Sequence, residues 1–195
     1  MSNQTITIVS GLPRSGTSMM MRILEAGGLS VLTDKVRRPD DDNPRGYYEF
    51  ERVKQIETDK AWLPDAQGKV VKMISALLKH LPPDYEYRIV FMVREMAEIL
   101  ASQRKMLVNR GEPTDKVADE VMARMFTKHL AQIREWLASQ PNVKVLYVDY
   151  NETIRDPTTQ VELINGFFEH RLDTAAMQDV IEPGLYRQRH PQASD

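Results

Sequence analysis

The 195 residues, 42% of them hydrophobic, suit one globular domain with its own core, so residues 1–195 are read as a single domain. A net charge of −2 excludes a uniformly basic surface, and no nucleic-acid partner is expected. The lack of cysteine excludes disulfides, thiolate zinc sites and a cysteine nucleophile, and it fits a cytoplasmic setting. No apolar run approaches the roughly 18–20 residues of a membrane span, so no membrane partner is expected. The start "MSNQTITIVS" lacks the basic and apolar regions of a signal peptide.

"TITIVSG" (5–11) is rich in β-branched residues and predicts a strand. A helix is expected from Ser15 to Ala26, stopped by Gly27 and Gly28. Residues 33–46 are polar, charged and broken by proline, which predicts a long loop, a usual place for function. Tyr47 and Tyr48 at its end are candidates to cover a ligand. "YYEFERVKQIETDKAWL" is expected to be helical. "KVVKMI" (69–74) and "RIVFMV" (88–93) are apolar runs typical of buried parallel strands. A helix follows Arg94 to Val108. Another is expected from Asp115 to Ser139, with Thr114 as N-cap and Asp119 and Glu120 near its positive end. Its apolar face comprises Val117, Val121, Met125, Ile133, Trp136 and Leu137. "VKVLYV" (143–148) is a fourth strand, and Asp156–Pro157 opens a last helix as cap and first residue. Strands alternating with helices predict an α/β fold, a central parallel sheet flanked by helices in three layers.

The most informative stretch is "SGLPRSGTSMM", between the first strand and its helix. Glycines let the backbone approach an anion, and the N–H groups at the helix start point at it. The phosphate-loop pattern G-x-x-x-x-G-K-[ST] matches at Gly11, Gly16 and Ser18. Thr17 stands where a nucleotide triphosphatase has lysine, and the nearest cation is Arg14. That set suits one anionic group gripped by amides, hydroxyls and a guanidinium. A second anion pair is Arg94, at the strand end where open α/β sheets bind ligands, and Ser102, eight residues on.

"PRSGTS" after a strand, with Arg94 and Ser102 after a later one, resembles the double signature of sulfotransferases that use 3′-phosphoadenosine 5′-phosphosulfate (PAPS). "DNPRGYYEFE" is similar to a segment of bacterial members. "VLYVDYNETIRDPTTQVELINGFF" is similar to the family's later strand, acidic–aromatic turn and Asp–Pro helix. The likeness spans most of residues 6–168. It implies a P-loop-type fold, PAPS as donor, adenosine 3′,5′-bisphosphate (PAP) as product and no metal. Position by position, Arg14, Ser15, Gly16, Thr17 and Ser18 would hold the 5′-phosphosulfate, and Arg94 and Ser102 the 3′-phosphate. The glycine-rich C-terminal loop of the cytosolic enzymes is missing; Arg187 or Arg189 in "GLYRQRH" is expected to do part of its work.

Sulfuryl transfer is an in-line displacement governed by position and electrostatics. Arg14 and Lys72 are the cations expected to steady the charge that develops. The resemblance makes Glu49 the first candidate for general base, with Glu51 as rival. His80 lies outside the register of the family's catalytic histidine, whose place falls near Ile74, and is read as a surface residue. His129, His170 and His190 show no metal-ligand spacing. The acceptor is expected to be a small molecule or glycan. The short chain leaves few residues to enclose it, so a homodimer or an open site is expected. Two rivals remain. One is a kinase in which Asp149 of "VLYVD" holds magnesium, a reading opposed by the missing loop lysine. The other is a domain that binds the donor without catalysis.

Overall fold

The computed structural model describes residues 5–34, 48–114 and 117–181. Strand β1 (Thr5–Gly11) leads through a loop into helix α1 (Thr17–Ala26). A 3₁₀ turn (Glu51–Gln55) and a short α2 (Leu63–Ala66) precede β2 (Val70–Lys72). A second 3₁₀ turn (Ser75–His80) leads to β3 (Glu86–Val93). Then come α3 (Met96–Asn109), α4 (Asp119–Ala138) and β4 (Val143–Asp149). Helices α5 (Tyr150–Arg155), α6 (Pro157–Phe167) and α7 (Thr174–Asp179) complete the described chain.

The four strands form one parallel sheet in the order β2-β1-β3-β4. Beyond β2, residues 30–32 add a short pairing: Leu32 N–H donates to Val70 O and Val70 N–H to Ser30 O. Both faces of the sheet are covered, and strand alternation sorts the core between them. Ile6, Ile8, Tyr87, Ile89 and Phe91 pack with Trp62, Leu78, Ile133 and Leu137 on one side. Val9, Val90 and Met92 pack with Met20, Ile23, Leu24, Ile164 and Phe168 on the other. The sheet is the middle layer of three, as the sequence predicts.

Three expectations change. The helix expected over 47–63 is a 3₁₀ turn and a separate short helix. Asp59 accepts from Ala61 N–H and turns the chain. Pro64, in the first turn of α2, starts a helix where its missing N–H costs nothing. Helix α4 begins at Asp119 behind Ala118, not behind Thr114, with Asp119 and Glu120 in its first turn; Asp115 lies outside the described residues. Arg104 pairs with Asp119 at this start.

The apolar face of α4 also divides in two. Ile133 and Leu137 are buried, but Val117, Val121 and Met125 are exposed. Twenty helical residues span about 30 Å, whereas a seven-residue strand spans about 23 Å. The helix returns directly to β4 and is about 7 Å longer than that strand, so roughly its first five residues have no length of β4 to lie against.

Ile8 sits in the inner strand β1 with no exposed surface. Ile8→Ala is expected to cost about 2–5 kcal/mol in chemical denaturation, the range for a large-to-small change in a packed core.

Candidate functional site

The loop between β1 and α1 is shaped by residues that close it onto itself. Ser15 is 1% exposed, and its hydroxyl and N–H both donate to Leu12 O, at 2.7 and 3.2 Å. Ser15 thus sets the loop's shape. Arg14 adopts a left-handed backbone with φ 71, a conformation costly for a side-chain-bearing residue and concentrated at functional sites. Gly16 has φ 99, and a Cβ there would lie 2.4 Å from the Tyr150 ring. Gly16 also starts α1, and no side chain caps that helix. The first-turn N–H groups of a helix have no partners within it, and the dipole adds positive potential. An anion placed there would meet those N–H groups and that potential.

Two cations approach this loop from other elements. Lys72, the last residue of β2, stands in register with Val9, and its Nζ lies 3.1 Å from Ser18 Oγ. The amine missing from the loop's own sequence is thus supplied by the neighbouring strand. Arg94 follows β3 directly. Its Nη1 donates to Arg14 O at 3.0 Å and its Nε to Glu98 Oε2 at 2.9 Å. Its guanidinium carbon lies 4.2 Å from the centroid of Tyr150. Arg14 Nε donates in turn to Ser102 Oγ at 2.9 Å. So the first loop and the β3–α3 pair, read separately in the sequence, form one cluster.

The cluster has further members on α3 and α5. Glu98 is 3% exposed; it accepts from Arg94 with one oxygen and from Asn151 Nδ2 with the other, at 3.0 Å. Tyr150 is 6% exposed, between Gly16 and Arg94, and burial raises its pKa first of all. Tyr150 and Asn151 open α5, a helix not foreseen. Its cap is Asp149, whose Oδ1 accepts from Asn151 N–H at 2.7 Å and Glu152 N–H at 3.0 Å. The available signal was Asp149 with Glu152 three residues on, the spacing of a capping box. The strand-end aspartate of the kinase reading is therefore employed as a helix cap. Among the described residues no acidic or histidine cluster has the arrangement of a metal site.

The carboxylate candidates lie on the segment after the long loop. Glu49 O accepts from Thr33 Oγ1 at 2.8 Å and from Asp34 N–H at 3.3 Å. Its carboxylate lies 3.7 Å from Lys54 Nζ, which holds Glu51 more closely at 2.7 Å. Tyr48 donates to Glu25 Oε2 at 2.5 Å. Tyr47, Arg187, Arg189 and His190 lie outside the described residues, as does most of the loop 33–46. His80 is half-buried at the end of its 3₁₀ turn.

A family model described as the sulfotransferase domain matches residues 4–186. Among curated proteins none matches this chain by sequence. Solved structures share its fold at low identity. The sulfotransferase domain of the Synechococcus PCC 7002 olefin synthase is 15% identical with a TM-score of 0.54, over 95% of this chain and 83% of that one. A sulfotransferase from Alicyclobacillus acidocaldarius is 16% identical with a TM-score of 0.52, over 88% and 85%. Mouse sulfotransferase SULT7A1, solved in complex with PAP, is 16% identical with a TM-score of 0.53. The match covers 93% of this chain but 64% of the mouse protein, so the chain spans less than two thirds of that relative.

Arg94 and Glu98 form a buried ion pair, with side chains 7% and 3% exposed. Removing one partner leaves an uncompensated charge in the interior. Glu98→Ala is expected to lower stability by about 3–5 kcal/mol in urea denaturation. Gly16→Ala is expected to weaken anion binding at the loop, because Tyr150 must move to admit the new methyl group; phosphate or sulfate titration by calorimetry measures this.

Proposed function

The chain belongs to the sulfotransferase domain family, and on that footing we propose that it moves a sulfuryl group from PAPS to a hydroxyl or amine of a small-molecule or glycan acceptor. The observation that carries the reading is the contact of Arg14 with Ser102 and Arg94. It supports one bisphosphate-bearing donor lying across both anion sites, its 5′ end on the loop and its 3′-phosphate toward Arg94 and Ser102. The PAP complex of the mouse relative is consistent with that donor.

The chemistry asked of these residues is electrostatic. The acceptor attacks sulfur in line; the new bond to sulfur forms as the bond to the 5′-phosphate oxygen breaks, and PAP leaves. Arg14, Lys72 and the N–H groups of Gly16, Thr17 and Ser18 face the charge that grows on that oxygen. Ser15 contributes by holding the loop closed on Leu12 O. A sulfuryl group carries less charge than a terminal phosphoryl group, so arginine and lysine suffice where a kinase uses magnesium. The capping role of Asp149 speaks against the kinase. The acceptor's proton needs a base, and Glu49 is the carboxylate candidate.

Calorimetric titration with PAP tests the donor assignment. PAP is expected to bind without metal and more tightly than ATP with magnesium. A hydrogen bond to a charged group is worth about 1.5–3 kcal/mol, so Ser102→Ala and Arg94→Ala are each expected to weaken PAP by roughly 10- to 150-fold. Preference for ATP–magnesium with indifference to PAP would sink the reading. PAP binding without turnover of PAPS by any acceptor would favour a domain that only binds the donor.

A further inference from the structure

The pair Ser75–His129 lies outside the arginine cluster, on two elements whose neighbouring residues border it. His129 Nε2 is 2.9 Å from Ser75 Oγ. Ser75 is 1% exposed and opens the 3₁₀ turn after β2, three residues past Lys72. Lys72 in turn touches Ser18 at the start of α1. From the α4 side, Leu130, next to His129, lines a cavity shared with Leu12, Ser15 and Arg94. Ser10 Oγ, buried at the end of β1, has no hydrogen-bond partner among the described residues. A native polar atom left so is a sign of a site.

The chemistry of the ring fits a proton acceptor. In the tautomer that donates Nε2–H to Ser75 Oγ, Nδ1 carries the lone pair, and the contact holds the ring's orientation. Burial, and then the charge of Lys79, hold the imidazole below 6.5, so it is neutral at pH 7. Lys79 comes from the facing 3₁₀ turn. On α4 itself the neighbours one turn away are Met125, Phe126, Gln132 and Ile133, none of them charged. At four-residue spacing toward the start of α4 stand Met125 and Val121, 62% and 38% exposed. Ile74, beside Ser75, is 44% exposed. A base that shares its helix with exposed apolar side chains selects a particular acceptor.

We propose that His129 Nδ1 takes the acceptor's proton, and that the acceptor is a hydroxyl compound with an apolar body lying along Val121, Met125 and Ile74. The proposal rests on the donor reading above. The acceptor oxygen bonds to sulfur as the sulfur–oxygen bond to the 5′-phosphate breaks. PAP leaves with that electron pair, and the proton passes to Nδ1 and then to solvent.

The test uses 2-naphthol as acceptor, PAPS as donor, and wild type beside His129→Gln, Ser75→Ala, Glu49→Gln and Met125→Glu. PAP affinity, measured in parallel, reports both folding and the donor site. His129→Gln is expected to keep PAP affinity within about twofold while kcat falls about 100-fold or more, the usual share of a general base. The wild-type kcat is expected to rise with pH through a midpoint below 6.5, the side to which the ring is shifted, and the glutamine variant to lose that limb. Ser75→Ala is expected to lower kcat about tenfold, keeping the base but not its orientation. Met125→Glu is expected to raise KM for 2-naphthol about tenfold, the worth of one buried apolar side chain. Unchanged kcat and pH profile in His129→Gln, or the 100-fold loss appearing in Glu49→Gln instead, overturns the proposal. Sound PAP binding with no sulfation of 2-naphthol by wild type also overturns it and leaves the donor reading intact. Failure of wild type to bind PAP ends both.

Discussion

One buried guanidinium organises this molecule's working edge. Arg94 leaves β3, reaches back to the carbonyl of Arg14, lies against Tyr150 and pairs with Glu98. A charge this far from water is tolerated only where its donors are met. Each partner that meets them comes from a different part of the chain: the phosphate loop, the start of α3 and the start of α5. The same contacts that compensate the charge therefore fix the loop relative to the sheet. The left-handed backbone of Arg14 is held from outside by this arrangement, since its carbonyl must point at Arg94.

The arrangement also shows how a loop with a phosphate-type pattern but no lysine of its own is met by cations from other elements. The parallel sheet brings three strand ends to one edge, and each delivers something to the loop: β1 its glycines, β2 the amine of Lys72, β3 the guanidinium of Arg94. Only the first is contiguous with the motif. Position on the sheet replaces position in the motif, and the charge is distributed over two elements that the loop alone would have concentrated in one.

What could be read from the sequence follows from range. The strand–glycine–helix unit of residues 5–26 is a local pattern and recurs in the structure, and Arg94 and Ser102, also close in sequence, each touch Arg14. Lys72 was legible as a strand-end cation. Glu98 was missed although it lies four residues from Arg94, because a glutamate in a helix's first turn has an ordinary explanation in the dipole. Asn151 and Tyr150 meet their partners across more than fifty residues, and nothing in the local sequence announces that. Ser75 and His129 are likewise 54 residues apart. The amphipathic pattern of α4 was legible, but periodicity reports which residues share a face, not whether the sheet extends far enough to cover it. Val121 and Met125 are exposed while Ile133 and Leu137 on the same helix are buried.

The short pairing of residues 30–32 along β2 bears on how copies of this protein behave toward each other. Strand β2 is only three residues long, and a bare strand edge is a template on which another chain can add itself. Here the chain leaving α1 occupies the hydrogen-bonding groups of Val70 before any neighbour can. A second molecule would have to strip away that native segment first. The sheet is thereby guarded at Val70 against edge-to-edge pairing on the side that carries Lys72.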